Sequence, residues 1–318
     1  MEPSTSAPPY TLTTESPRAT QPPNKPPPKA APPPAPGYKG PPATNPAQAV
    51  ANAASVGPAR GVRAAVGVLD RRTGRFYGAG DVDYPFASAS VVKAFIATSL
   101  LVSGKANDPN TRSMMYEMIV ASNDNDASAL YGPAGGSGLT AFISSRYGIS
   151  GLAPPPANLA GYWGETKITA HAMVEFYDAI TQDPLVAPWL MDAMANARAT
   201  AADGTKQLFG LPSAATSWRV KQGWMCCLDS KTRMLSTGFL DHDRFTAALM
   251  IEGGTSVYLS SGIATLNGMA KALMPNGSIP LGAPPPPPTT PPQASPSPST
   301  SPAPQAIGDP VAAFREDS

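Results

Sequence analysis

Ser90 and Lys93 stand three residues apart in Phe86-Ala-Ser-Ala-Ser90-Val-Val-Lys93-Ala-Phe-Ile-Ala, where an apolar stretch begins. One helical turn sets residues i and i+3 side by side, so a neutral Lys93 amine is positioned to accept the Ser90 hydroxyl proton. Val91, Val92 and Phe95 surround that amine with apolar groups, which disfavour its charged form and lower its pKa. A serine at a helix start also meets free N–H groups and the positive end of the helix dipole, both suited to a developing oxyanion. The bland alternative is a capping serine beside a solvated lysine. Against it, Ser90 is the only serine with lysine three residues on, and an idle lysine among Val and Phe is costly. His171 and His242 are far apart without ligand-like spacing, so no metal site is expected. No cofactor motif is present, and none is expected.

The run Phe86-x-x-Ala89-Ser90-Val91-Val92-Lys93 resembles the Ser-x-x-Lys motif of the serine β-lactamase and penicillin-binding-protein superfamily. That resemblance implies a Ser-x-Asn turn in a helical block and a Lys-Thr/Ser-Gly on a late strand. About thirty residues downstream lies Met118-Ile-Val-Ala-Ser122-Asn123-Asp124-Asn125-Asp126. One register puts Ser122 in the serine position with Asp124 replacing asparagine. The other puts Asn125 in the asparagine position and Asn123 in place of serine. Ser122 is preferred, because the family uses that hydroxyl to relay a proton to the leaving group. Lys221-Gln222-Gly223-Trp224, about 130 residues after Ser90, resembles the third motif with Gln for Thr or Ser. A lysine there anchors a substrate carboxylate, and Gly223 lets a substrate backbone approach. By the family's pattern the N–H groups of Trp224 and Ser90 form the oxyanion hole.

The expected catalytic residues are therefore Ser90, Lys93, Ser122 and Lys221, with Asp124, Asn125, Gly223 and Trp224 binding substrate. Class A β-lactamases also carry a Glu-x-x-Leu-Asn loop whose glutamate activates the deacylating water. Here Gly161-Tyr-Trp-Gly-Glu165-Thr-Lys-Ile-Thr169 runs almost straight into the next helix and leaves no room for it. The expectation is a serine hydrolase that forms an acyl-enzyme at Ser90 on a β-lactam or D-alanyl peptide-type amide, with weak or no β-lactamase turnover. The alternative, favoured by Gln222 and Asp124, is a catalytically silent envelope protein of the same fold that binds wall peptide or a partner.

These residues must be held by a definite set of elements. Val62 to Leu69 reads as a strand, Asp70-Arg-Arg-Thr-Gly74 as a turn and Arg75 to Gly78 as its return, a hairpin signature. Apolar residues at three-to-four spacing predict helices over Ser90–Ser103, Pro109–Ala121, a segment after Asp124, Ser137–Tyr147, Thr169–Thr181 and Pro184–Ala195. Strands return over Ser217–Gly223, Met234–Leu240 and Arg244–Ile251, and a last helix covers Ser256–Met274. This order predicts an α+β, β-lactamase/transpeptidase-like fold: a five-stranded antiparallel sheet flanked by helices, with an all-helical subdomain. Adjacent Cys226 and Cys227 are expected as small buried hydrophobes, since chain neighbours rarely bridge.

Composition sets the boundaries. Of the 40 prolines, 16 lie in residues 1–46 and 13 from Pro280 onward. Those stretches predict disordered proline-rich tails over 1–46 and 278–318, around a hydrolase domain over 47–277. A net charge of +1 favours no nucleic acid partner. Val91–Val102, the most apolar stretch, is too short for a transmembrane segment. The first residues show no basic segment followed by an apolar run, so no export signal is visible. Family resemblance nevertheless implies a secreted or cell-envelope location. The expected ligand is a small-molecule or peptide substrate, β-lactam or peptidoglycan stem-peptide-like, bound by a monomer.

Overall fold

A strand covered by helices on both faces needs apolar residues at every position, and β1 (Arg63–Asp70) is buried from Ala64 onward. Its odd positions, Ala65 and Leu69, join the core beneath the helical block. Its even positions, Ala64, Val66 and Val68, join a second core on the opposite face. The computed structural model describes Tyr38 and residues 40–282. The proline-rich tails expected at either end lie largely outside the described residues. Packing extends slightly past the expected domain limits, since Ala43 and Ile279 are both buried.

β1 pairs with β2 (Arg75–Gly80) through the expected hairpin. The later strands are β5 (Trp218–Cys226), β6 (Lys231–Leu240) and β7 (Phe245–Gly254), giving one antiparallel sheet of order β2-β1-β7-β6-β5. β5 is thus an edge strand. Asp241, His242 and Asp243 all adopt positive φ in the turn between β6 and β7. A two-stranded ribbon, β3 (Phe86–Ala87) with β4 (Lys167–Ile168), was not expected from sequence because each strand has only two residues.

The helical block comprises α2 (Lys93–Val102), α3 (Pro109–Val120), α4 (Asp124–Tyr131), α5 (Leu139–Tyr147), α6 (Ala170–Ile180) and α7 (Ala187–Ala195). Side-chain caps set three of the starts: Asp108 on Thr111 N, Asn123 on Asn125 N and Thr169 on Ala172 N. The other sheet face is covered by α8 (Ser260–Leu273) and by α1 (Pro46–Ser55), capped by Asn45. Sequence periodicity missed α1, an alanine-rich helix next to the proline-rich stretch.

Two expectations need correction. The helix foreseen from Ser90 is split: Ala89–Val92 forms a 3-10 turn, and the α-helix begins only at Lys93. Cys226 and Cys227 form a disulfide instead of standing as free thiols. At the end of β5 Cys227 has φ +90°, which breaks the strand's alternation and turns both sulfurs to one side.

Candidate active site

The nucleophile candidate sits on a strained turn. Ala89, just before Ser90, has φ +45°, and Ser122 has φ +53°, values that cost a non-glycine residue free energy. Ser90 Oγ has no hydrogen-bond partner among the described residues, and it is not among their sealed, unpaired polar atoms. Its oxygen therefore keeps contact with solvent.

The turn is fixed from two sides. Ser88 N donates to Thr166 O at 2.8 Å, and Ser88 Oγ donates to Gly164 O at 3.3 Å. From the sheet, Gly223 of β5 packs against it so closely that an added Cβ would lie 2.8 Å from Ser88 O and 3.2 Å from Ala89 Cβ. Glycine is required here by close approach, since only a residue without a side chain lets the edge strand lie this near the Ser90 turn.

Lys93 is fully buried. Its Nζ donates to Ser122 O at 2.7 Å, to Asp124 Oδ1 at 2.5 Å and to Ser122 Oγ at 3.3 Å. An ammonium group has three donors, and all three are used. The Trp163 ring lies 4.7 Å from the same nitrogen, a contact that favours a cation. Burial lowers the Lys93 pKa, and the carboxylates of Asp124, Asp203 and Asp126 oppose that shift without cancelling it.

Lys221 reaches the same hydroxyl from the sheet: its Nζ is 2.9 Å from Ser122 Oγ and 2.9 Å from Gln222 O. It is as buried as Lys93 but contacts no carboxylate among the described residues. Burial, reinforced by the nearby Lys93 charge, holds its pKa well below the ordinary lysine value. Two amines from distant segments thus converge on Ser122 Oγ, and Asp124 pairs with only one of them.

The remaining expected residues divide. Asp124 is half exposed and contacts Lys93, whereas Asn125 is exposed and only its backbone N–H is engaged, by Asn123 Oδ1. The Gln222 side chain turns to the opposite sheet face, where Nε2 donates to Phe209 O and Oε1 is buried without a partner. The Trp224 ring follows it and donates to Asp203 Oδ2 at 3.0 Å. Because Lys221 bonds Gln222 O on the outer edge of β5, strand alternation directs the Trp224 N–H outward as well. Glu165 is buried with one oxygen on Lys167 Nζ at 3.0 Å and the other unpartnered.

Sequence reasoning missed the segment between α7 and β5. Arg198 N and Ala202 N donate to Val120 O and Ala121 O at 2.8 Å each, and Gln207 Nε2 donates to Val120 O at 2.8 Å. Asp203 binds Trp224, so this loop links the Ser122 turn to the edge strand. Asp203 lies in an Ala- and Thr-rich loop without periodicity, and nothing local marks it as part of the site.

No protein-family model matches the chain. A class A β-lactamase from Bacteroides cellulosilyticus superposes with TM-score 0.56 at 13% identity, covering 73% of this chain and 98% of that one. An ancestral class A β-lactamase gives TM-score 0.55 at 18% identity, over 71% and 98%. At the sequence level, the chain is 33% identical over 232 residues to the "Putative lipoprotein LppW" of Mycobacterium tuberculosis, covering 70% of this chain and 72% of that protein. The same identity and coverage hold for its Mycobacterium bovis counterpart. The sheet order and helical block described above are those of a class A β-lactamase-like fold, and by its sequence the chain belongs to the LppW family.

Proposed function

We propose that this protein is a serine acyl-transfer protein in which Ser90 forms an acyl-enzyme with an amide-type carbonyl, of the class to which β-lactams and D-alanyl peptides belong. The observation that carries this reading is the convergence of buried Lys93 and Lys221 on Ser122 Oγ, beside the Ser90 turn. Burying two amines costs several kcal/mol, and a purely structural core has no use for that cost. In the proposed reaction Ser90 Oγ bonds to the carbonyl carbon, and its proton enters the Ser122 hydroxyl relay. Lys93, held as an ammonium by Asp124, orients Ser122, and the neutral Lys221 amine accepts from it. The carbonyl oxygen charges against the N–H groups of Ser90 and Trp224. The bond to the leaving nitrogen then breaks, and that nitrogen departs with the relayed proton. Water later cleaves the ester. Because Glu165 is engaged by Lys167 and the Glu-x-x-Leu-Asn loop is missing, the acyl-enzyme is long-lived and antibiotic turnover is weak.

A second reading, a catalytically silent protein on the same fold, draws on the full occupation of the three Lys93 donors. An envelope location is proposed in both cases, on the strength of the relative's description as a lipoprotein and of proline-rich ends suited to spacers. Among the described residues no helix is long and apolar enough to cross a membrane. Incubation with a fluorophosphonate probe and with a fluorescent penicillin, followed by peptide mapping, separates the readings. The enzyme reading expects a covalent mass gain on Ser90 that Ser90→Ala abolishes. No adduct with either probe, from protein shown to be folded, leaves the silent reading.

A further inference from the structure

Two turns on neighbouring strands enclose a polar hollow. The turn after β1 and the turn before β7 line a cavity of about 240 Å³ with Arg71, Arg72, His242, Asp243 and Arg244. The turns are locked by reciprocal reach. Arg71 N donates to Arg244 O at 3.0 Å and Arg71 Nη1 to Asp243 O at 2.6 Å, while Arg244 Nη2 donates back to Asp70 Oδ2 at 2.9 Å. The carboxylates nearby are already engaged: Asp178 accepts from Arg71 Nε at 2.8 Å, Asp70 from Arg244, Asp243 from Arg219 Nε at 2.8 Å, and Asp241 Oδ2 from Ile279 N at 3.1 Å. Of the five N–H donors on a guanidinium, Arg71 uses three, Arg244 two and Arg72 none among the described residues. The exposed Arg72 thus stands at the cavity without a counter-ion, and the exposed His242 ring, with Nδ1 3.5 Å from Ser217 Oγ, leaves Nε2 without a hydrogen-bond partner among those residues.

We infer that this hollow binds a phosphate group through the spare donors of Arg71, Arg72 and Arg244. One unpaired guanidinium on a surface is ordinarily just solvated. Here three line one hollow, and two of them are held in place by their own ion pairs, so the donors are arranged before any ligand arrives. Asp243, the one anion among the lining residues, is offset by Arg219. A carboxylate fills a single guanidinium fork, whereas a terminal phosphate offers three acceptor oxygens and about two charges and so engages several. The volume is below the roughly 300–1,000 Å³ of sites for drug-sized ligands, so the hollow encloses the phosphate and leaves its bearer outside. A soluble phosphate ester and the headgroup of phosphatidic acid present the same chemistry. None of these residues enters the acyl-transfer reading, so phosphate binding stands or falls apart from it.

Calorimetric titration of the full chain with phenyl phosphate at low salt should show saturable binding, several-fold tighter than that of benzoate and weakened by added salt. Arg72→Gln should weaken it about tenfold, and Arg72→Lys, which keeps the charge but not the fork, by a smaller factor. The Arg72 guanidinium bonds to nothing among the described residues, so both variants should keep the parent's melting temperature. Lys271→Gln, which removes one exposed charge from α8, and Ser90→Ala should leave phosphate binding unchanged. Sedimentation with phosphatidylcholine vesicles that carry phosphatidic acid, or an equal share of the diester phosphatidylglycerol, identifies the bearer. Binding to the phosphatidic acid vesicles that Arg72→Gln abolishes assigns the hollow a lipid headgroup, and phenyl phosphate binding without vesicle binding assigns it a soluble ester; either supports the inference. No binding of phenyl phosphate at low salt overturns it. So does equal binding of benzoate, a loss no greater in Arg72→Gln than in Lys271→Gln, or a loss in Ser90→Ala.

Discussion

Two buried charge clusters occupy the sheet, and they treat their charges in opposite ways. Near the far end of β6, Arg233 and Glu252 are almost fully buried and paired at 2.9 Å. Arg233 also pairs with Asp229 at 2.5 Å, and Glu252 accepts from Lys231 at 3.0 Å and from Tyr84 at 3.1 Å. Burial works against both charges there. The carboxylates of Asp229 and Glu252 nevertheless raise the Arg233 pKa, and the donors around Glu252 lower its own. At Ser122 the balance reverses: two buried amines share one contacting carboxylate, and both pKa values fall. Matched charges hold a fold together, whereas an unmatched amine is a proton acceptor held ready.

This contrast can be broken at either end. The largest effect is expected from Lys221→Met, which should slow acylation of Ser90 by about 10²- to 10⁴-fold while leaving the melting temperature no lower, because an unpaired buried amine is removed. Glu252→Gln should do the reverse. Leaving Arg233 buried beside a neutral partner should cost about 3–5 kcal/mol in chemical denaturation, with acylation of the folded fraction unchanged. If Lys221→Met unfolds the protein and Glu252→Gln does not, the assignment of chemical and structural roles is inverted.

Gly223→Ala tests the packing that joins strand to nucleophile. A methyl group 2.8 Å from Ser88 O must push β5 away, at a cost of about 1–3 kcal/mol, and acylation should fall with it. Asp124→Asn sharpens the charge argument. Without its anion Lys93 loses its reason to stay protonated, becomes available to Ser90, and acylation should quicken several-fold. The pH dependence carries a definite sign. The folded pKa of Lys221 lies well below 10.5, so between that pKa and 10.5 the unfolded chain binds more protons and stability rises with pH. The acylation rate should rise over the lower part of the same range, and Lys221→Met should flatten the stability slope.

Most of the architecture was legible because it rests on local signals. The Asp70–Gly74 turn, the alternation of the late strands and the three-to-four spacing of α3 to α7 each lie within one segment. The starting residues of the site were legible for the same reason: Ser90 and Lys93 share a turn, and Lys221 and Gly223 share a strand. What sequence could not supply was the pairing between segments. The choice of Ser122 over Asn123 was made on chemical grounds, and only the fold brings its hydroxyl to both lysines. The ion pair of Lys93 with Asp124, the reversed face of Gln222 and the approach of Asp203 to Trp224 all depend on how loops cross. The 3-10 turn at Ser90 was hidden because its residues also suit an α-helix.

The bridge between Cys226 and Cys227 has a consequence of its own. A cross-link between chain neighbours encloses no intervening residues, so it removes almost none of the freedom of the unfolded chain, unlike a bridge spanning a long loop. Its opening or closing should therefore barely move the global unfolding midpoint. Its influence is confined to the shape of the turn that follows β5, two residues past Trp224.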